Sequence, residues 1–184
     1  MMTDERALQG DKVRLRTREE RDLPLLVRWY NDPDVRYWLG RSDRPDATLE
    51  SERERFERMR DDPSQMLWVI ETLDGRPIGS VGLIGVDRYH ALAELGVSIG
   101  EKEFWGRGYG TDAIRHVLGY AFAELGLRRV WLITDEDNER GIRCYEKCGF
   151  VREGLLRAHR LRHGQPLNMF VMGVLREGWT EAGS

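Results

Sequence analysis

The sequence predicts an α/β fold built on a mixed sheet, and three observations carry that expectation. Stretches rich in β-branched and apolar residues at 67–71, 77–86, 91–99 and 130–134 read as strands, with Asp74-Gly75 as a hairpin turn. Residues 111–125 place Ala113, Ile114, Val117, Leu118, Ala121, Phe122 and Leu125 on one face of a helix that Gly126 closes. The order of strands, helix, strand, helix and strands lacks the even alternation of a doubly wound sheet.

The remaining elements follow from the N-terminus onward. Val13–Arg16 reads as a first strand. Leu23, Leu26, Val27 and Tyr30 fall at helical spacing behind Asp22, a plausible cap, and that helix stops at Asn31-Asp32-Pro33. A highly charged helix is expected over about 46–60, with Leu49, Phe56 and Met59 as its sparse apolar contacts. Asn138–Cys148 reads as a short helix ended by Gly149, and 151–176 as a long hairpin turning at His163-Gly164.

Bulk properties bound the function. The 184 residues, with no repeat or Pro/Gly-rich linker, fit a single domain over 1–184 with its core at about 11–179. Charged residues make up 33% but leave a net charge of only -3, so a basic field for nucleic acid or an anionic membrane is not expected. No stretch approaches the roughly 20 apolar residues of a membrane span, and the polar start lacks a signal-peptide core. Two cysteines, Cys144 and Cys148, are too few for a disulfide scaffold, which points to a cytoplasmic protein with reduced thiols. No metal is expected, because His90, His116, His159 and His163 make no ligand spacing with the cysteines.

The most informative segment is Trp105-Gly106-Arg107-Gly108-Tyr109-Gly110-Thr111, between a strand ending Val97-Ser98-Ile99 and the long helix. Glycine lets the backbone approach a ligand, and a helix N-terminus offers free N–H groups with about half a positive charge. A dinucleotide fingerprint fails because Thr111 stands where the third glycine belongs, and no Gly-Lys-Ser/Thr of a P-loop occurs. The loop by itself leaves open a plain helix-capping turn.

This segment resembles the R/Q-x-x-G-x-G/A motif of GNAT-superfamily N-acetyltransferases, with Trp105 replacing the usual Arg or Gln. Three more stretches are similar to the RimJ/RimL-like branch, which acetylates ribosomal-protein N-termini. They are Trp29-Tyr30-Asn31-Asp32-Pro33-Asp34-Val35, the run from Asn138 through Tyr145 to Phe150 with Gly141 for the usual Ala, and Met172-Gly173-Val174-Leu175-Arg176 through Trp179. The resemblance implies a GNAT fold: a mostly antiparallel, twisted sheet flanked by helices and splayed to hold coenzyme A. It further implies acetyl-CoA as co-substrate, a pyrophosphate held by the amides of 105–111, pantetheine along Val97, Ser98 and Ile99, and direct transfer to a primary amine.

For the chemistry, Glu94 is the candidate base, alone or through a water. It lies eleven residues before Trp105, an offset similar to that of the strand glutamate in histone-type relatives. A salt-bridged or exposed strand end is the alternative. Tyr145 corresponds to the family tyrosine that protonates the leaving thiolate, although its helix face with Ile142 and Cys148 also suits the core. Asn138 can cap a helix, contact coenzyme A, or do both. Cys144 as a covalent nucleophile lacks a histidine partner in the spacing.

The acceptor expected first is a protein N-terminal α-amine. A small amine, polyamine or aminoglycoside-like, is the alternative, and a non-catalytic acyl-CoA-binding module is another. Asp32, Asp34, Asp61, Asp62 and Asp135-Glu136-Asp137 could attract a cation, and His159 and His163 could border the acceptor. Asn168 stands where many relatives carry an acid. Trp38, Phe56 and Trp179 are candidates for a homodimer surface.

Overall fold

The computed structural model describes residues 9–180. Seven strands form one sheet in the order β1-β2-β3-β4-β5-β7-β6. They are β1 (Val13–Thr17), β2 (Met66–Thr72), β3 (Pro77–Asp87), β4 (Leu92–Ile99), β5 (Arg129–Asp135), β6 (Val151–Arg162) and β7 (Gln165–Leu175). Every neighbouring pair is antiparallel except β4 with β5. The helices are α1 (Leu23–Asn31), α2 (Pro33–Trp38), α3 (Leu49–Arg60), α4 (Tyr109–Ala123) and α5 (Glu139–Lys147).

Strand alternation decides which face each helix covers. Val13, Leu15, Ala93, Leu95, Val130 and Leu132 join Ala113, Ile114, Val117, Leu118 and Ala121 of α4 in the main core. On the opposite face, Arg16 reaches the buried carboxylates of Glu71 (2.6 Å) and Asp22 (2.6 Å). Asp22 stands at the N-cap of α1, as its position predicts, but its side chain makes no capping bond there. Its carboxylate accepts the Glu19 N–H (2.8 Å) and is committed to Arg16. Burial pushes its pKa up, but these contacts outweigh that and hold it below the ordinary carboxylate value.

The Asn31-Asp32-Pro33 stop is a junction between two helices. Asp32 accepts the N–H groups of Asp34 and Val35 and so starts α2, with Pro33 at its first position. Asn31 clamps Ala47 through both its amide atoms at 2.8 Å, and Lys102 pairs with Asp32 (3.0 Å) and Asp34 (2.6 Å). These contacts seat α1 and α2, with Leu23, Leu26, Trp29, Tyr30 and Val35 as a second small core. Gly100 receives this unit, since a Cβ there would lie 2.2 Å from the Trp29 ring.

The charged helix α3 departs from its expected contacts. Leu49 is exposed, and the buried residue is Glu52, within 4.0 Å of Arg41 and 3.9 Å of Arg55. Trp179 packs on Phe122 at 5.3 Å, Phe56 packs on the second core, and Trp38 faces the cleft described below. These three aromatics are thus engaged within the chain. No helix among the described residues is long and apolar enough to cross a membrane.

Candidate active site

The site is a split in the sheet. β4 and β5 pair only at Leu92–Arg129, Ala93–Val130 and Glu94–Trp131. Beyond Glu94, β4 stays with β3 and β5 with β7. The Gly100 N–H donates to the Ile78 carbonyl (2.9 Å), which sets the phase of the β3–β4 ladder. Glu94, Gly96 and Ser98 turn their backbone groups toward β3, whereas Leu95, Val97 and Ile99 turn theirs into the split. The Ile99 carbonyl there accepts from the Trp105 indole N–H at 2.7 Å. Ser98 contributes a side chain to the split and no free backbone edge.

The split opens into a cleft of about 600 Å³. The N-terminus of α4 closes one end. Gly106 and Gly108 have φ of +71° and +88°, conformations that side chains rarely adopt. Gly108 caps α4 without a side-chain acceptor. The N–H groups of Tyr109, Gly110 and Thr111 therefore have no acceptor among the described residues, and they form a ready anion site. Asp112, the acid of this first turn, faces away and accepts the Lys12 and Val13 N–H groups at 2.9 and 3.0 Å.

Of the residues singled out in the sequence, Glu94, Val97, Ser98, Ile99, Trp105, Gly106, Gly108, Gly110, Thr111, Asn138 and Tyr145 line this one cleft. The side chains of Arg107 and Tyr109 do not. Tyr109 packs edge-on against Phe104 at 4.9 Å, and Arg107 lies over those rings. Asn138 is the N-cap of α5, accepting the Gly141 N–H at 3.0 Å and donating to Thr134 Oγ1 at 3.2 Å. Gly141 suits that cap, since a Cβ there would come within 2.5 Å of the Asn138 amide.

Glu94 has no hydrogen-bond or ion-pair partner among the described residues, and burial raises its pKa. Burial also raises the pKa of Tyr145, with Cys144, Cys148 and Asp135 adding to the effect, so its phenol stays protonated. Cys144 lies in the wall with its Sγ 3.3 Å from Thr111 Oγ1 and no histidine among its hydrogen-bond partners. Arg140 enters the wall from α5 with its guanidinium 3.9 Å from the centre of the Trp105 ring. The motif position that lacks its cation thus carries one on top of it. Sequence reading missed this, because nothing local links Arg140 to Trp105.

These features are those of a coenzyme A cleft, and comparison with known proteins decides the family. The Acetyltransferase (GNAT) domain family matches residues 12–151. This chain belongs to the GNAT acetyltransferase family. The acetyltransferase is 31% identical to a spermidine N(1)-acetyltransferase of Escherichia coli over 165 residues, covering 89% of this chain and 86% of the relative. A crystal structure of a Vibrio cholerae spermidine N-acetyltransferase, in complex with CoA and spermine, superposes with a TM-score of 0.83 at 26% identity. It covers 90% of this chain and 96% of that one. A putative ribosomal N-acetyltransferase of Bacillus subtilis is 34% identical but covers only 58% of the chain. The protein is an acetyl-CoA-dependent N-acetyltransferase with the GNAT fold.

Proposed function

We propose that the acetyltransferase acetylates a small primary amine by direct transfer within this cleft. The split in the sheet is the observation that carries the reading, because it leaves the backbone edges of Leu95 and Val97 and the Ile99 N–H free to hold pantetheine as a pseudo-strand. The open amides of 109–111 take the pyrophosphate, and Arg140 adds a positive charge beside Trp105. The comparisons favour a small amine over the protein N-terminus expected first. Spermidine acetyltransferases match along most of the chain, whereas the ribosomal relative matches little more than half.

Glu94 and Tyr145 divide the proton work. An ammonium with a pKa of ~10 must lose a proton before it attacks, and a carboxylate whose pKa burial has raised is a stronger base for that step. The amine nitrogen bonds to the carbonyl carbon and the carbon–sulfur bond breaks. Tyr145 gives its proton to the departing sulfur, the nitrogen loses its second proton to water as the amide forms, and the phenolate is reprotonated from solvent. The test is thiol release from acetyl-CoA over a panel of small amines, with Tyr145→Phe beside the wild type. Amine-dependent release that falls by roughly 10²-fold or more in the variant, with acetyl-CoA still bound, is expected. Undiminished turnover in Tyr145→Phe would remove the proton-donor role.

A further inference from the structure

The two faces of the split sheet differ in charge. On the α4 face stand the open amides of 109–111. The opposite face carries the side chains of Glu94, Ile133 and Asp135, since Ala93, Leu95, Val130 and Leu132 face the α4 core. There the cleft is walled by Val35 and Trp38 of α2, Leu39 at its C-cap, Met169 of β7 and Arg160 of β6. This is the side from which an amine can reach Glu94.

Apart from Glu94, the acids on this side and around it have partners within the chain. Asp135 is paired with both Arg160 and Arg162, and Asp137 with Arg162 at 2.7 Å. Glu136 accepts from Asn168, while Asp32 and Asp34 hold Lys102. Asp61 pairs with Arg60, and Asp62 accepts from Ser64. Of the acidic residues that suggested a cationic acceptor, Asp32, Asp34, Asp61, Asp135 and Asp137 are paired with cations of the chain. His159 and His163 do not line the cleft, but Arg160 between them does.

Arg162 is nearly enclosed, bonded to Tyr37, Asp135 and Asp137. Arg160 is held differently. Its side chain is 22% exposed, and one nitrogen, Nη2, bonds the Asp135 oxygen that Arg162 shares. No acceptor for its Nη1 occurs among the described residues, while its Nε, like the Arg162 Nε and the Asp135 Oδ1, is buried without a partner. Gly40 makes the room, since a Cβ there would lie 1.7 Å from Arg160 Nη1. Asn168 Oδ1 accepts the Ala158 N–H at 2.8 Å, fixing the irregular stretch of β6 that precedes Arg160.

A guanidinium that Asp135 holds through Nη2, with Nη1 unbonded at the cleft wall, keeps a donor for an anionic group. We propose that the acceptor is a primary amine that also bears an anionic group, and that Arg160 is the specificity-determining residue that binds that group while the amine meets Glu94. This rests on the small-amine reading and narrows it.

The test compares 1,4-diaminobutane with 5-aminopentanoate and 4-aminobutyl phosphate, using acetyl-CoA and thiol release, in wild type, Arg160→Gln and Arg160→Lys. The wild type should favour one or both anionic amines over the diamine by about tenfold or more in kcat/KM. Carboxylate and phosphate arms identify which anion fits. Arg160→Gln should lose the preference through KM, and Arg160→Lys should keep part of it. Retained thermal stabilisation by acetyl-CoA shows that each variant is folded. A wild type that prefers the diamine, or a preference unchanged in Arg160→Gln, overturns the anion inference and leaves the small-amine reading standing. Failure of all three amines with coenzyme A binding intact overturns both.

Discussion

At Glu94 the fold places a partly buried carboxylate in the cleft without a partner, and desolvation raises its pKa. A carboxylate whose folded pKa lies above its unfolded value contributes full stability below the unfolded pKa. It loses that contribution as pH rises through the folded pKa. Glu94→Gln is therefore expected to melt at a higher temperature than wild type at pH 7, with the difference vanishing near pH 3. Its turnover should be depressed at neutral pH and recover at high pH, where free amine is already abundant. Parallel melting curves across that range, with turnover unchanged, would mean that Glu94 is an ordinary solvated acid. The alternation that put Glu94 on a different face from Ala93 and Leu95 was readable from spacing. The absence of a partner was not, because it depends on which distant side chains fail to arrive.

At the scale of elements, β1 and β2 are joined to the start of α1 by an ion network that only the tertiary structure assembles. Arg16 bonds both Glu71 and Asp22, which are 5% and 3% exposed, and Arg14 also pairs with Glu71 at 2.8 Å. Removing Arg16 leaves Asp22 buried without its cation, while Glu71 keeps Arg14. Arg16→Met is expected to lower stability by about 3–5 kcal/mol, seen in denaturant unfolding, and to be partly rescued by adding Asp22→Asn. A loss below about 1 kcal/mol would show that water solvates Asp22. The long helix, the hairpin at His163-Gly164 and the glycine loop were legible because their periodicity or turn chemistry is local. The short helix α2 was not, since Pro33 reads equally as a stop and as a first helical residue. Likewise Asp22 has the residue type of a cap, and Arg16 claims it from another element.

For the whole molecule, the parallel contact of β4 with β5 ends after Glu94 and turns one sheet into two wings. One face of the opening receives the glycine loop, α4 and α5. The other receives α2 and the β6–β7 hairpin, joined by Arg162 to Tyr37 and by the His163 N–H to Asp43. The donor side was visible in the sequence as strand, glycines and helix in succession. The acceptor side was not, because Trp38 and Gly40, Asp135, and Arg160 come from three separate stretches. The family resemblance therefore led to the co-substrate and left the acceptor to the relatives and to Arg160.

The account depends most on the claim that the split β4 edge and the open amides of 109–111 hold acetyl-CoA. Thermal denaturation with acetyl-CoA, ATP and NAD in parallel tests it directly. At about 100 times its dissociation constant, acetyl-CoA should add roughly 2.7 kcal/mol, a rise of several degrees in a chain of this size, and Gly108→Ala should need more ligand for the same shift. Stabilisation by ATP or NAD in place of acetyl-CoA, or by none of them, would contradict it.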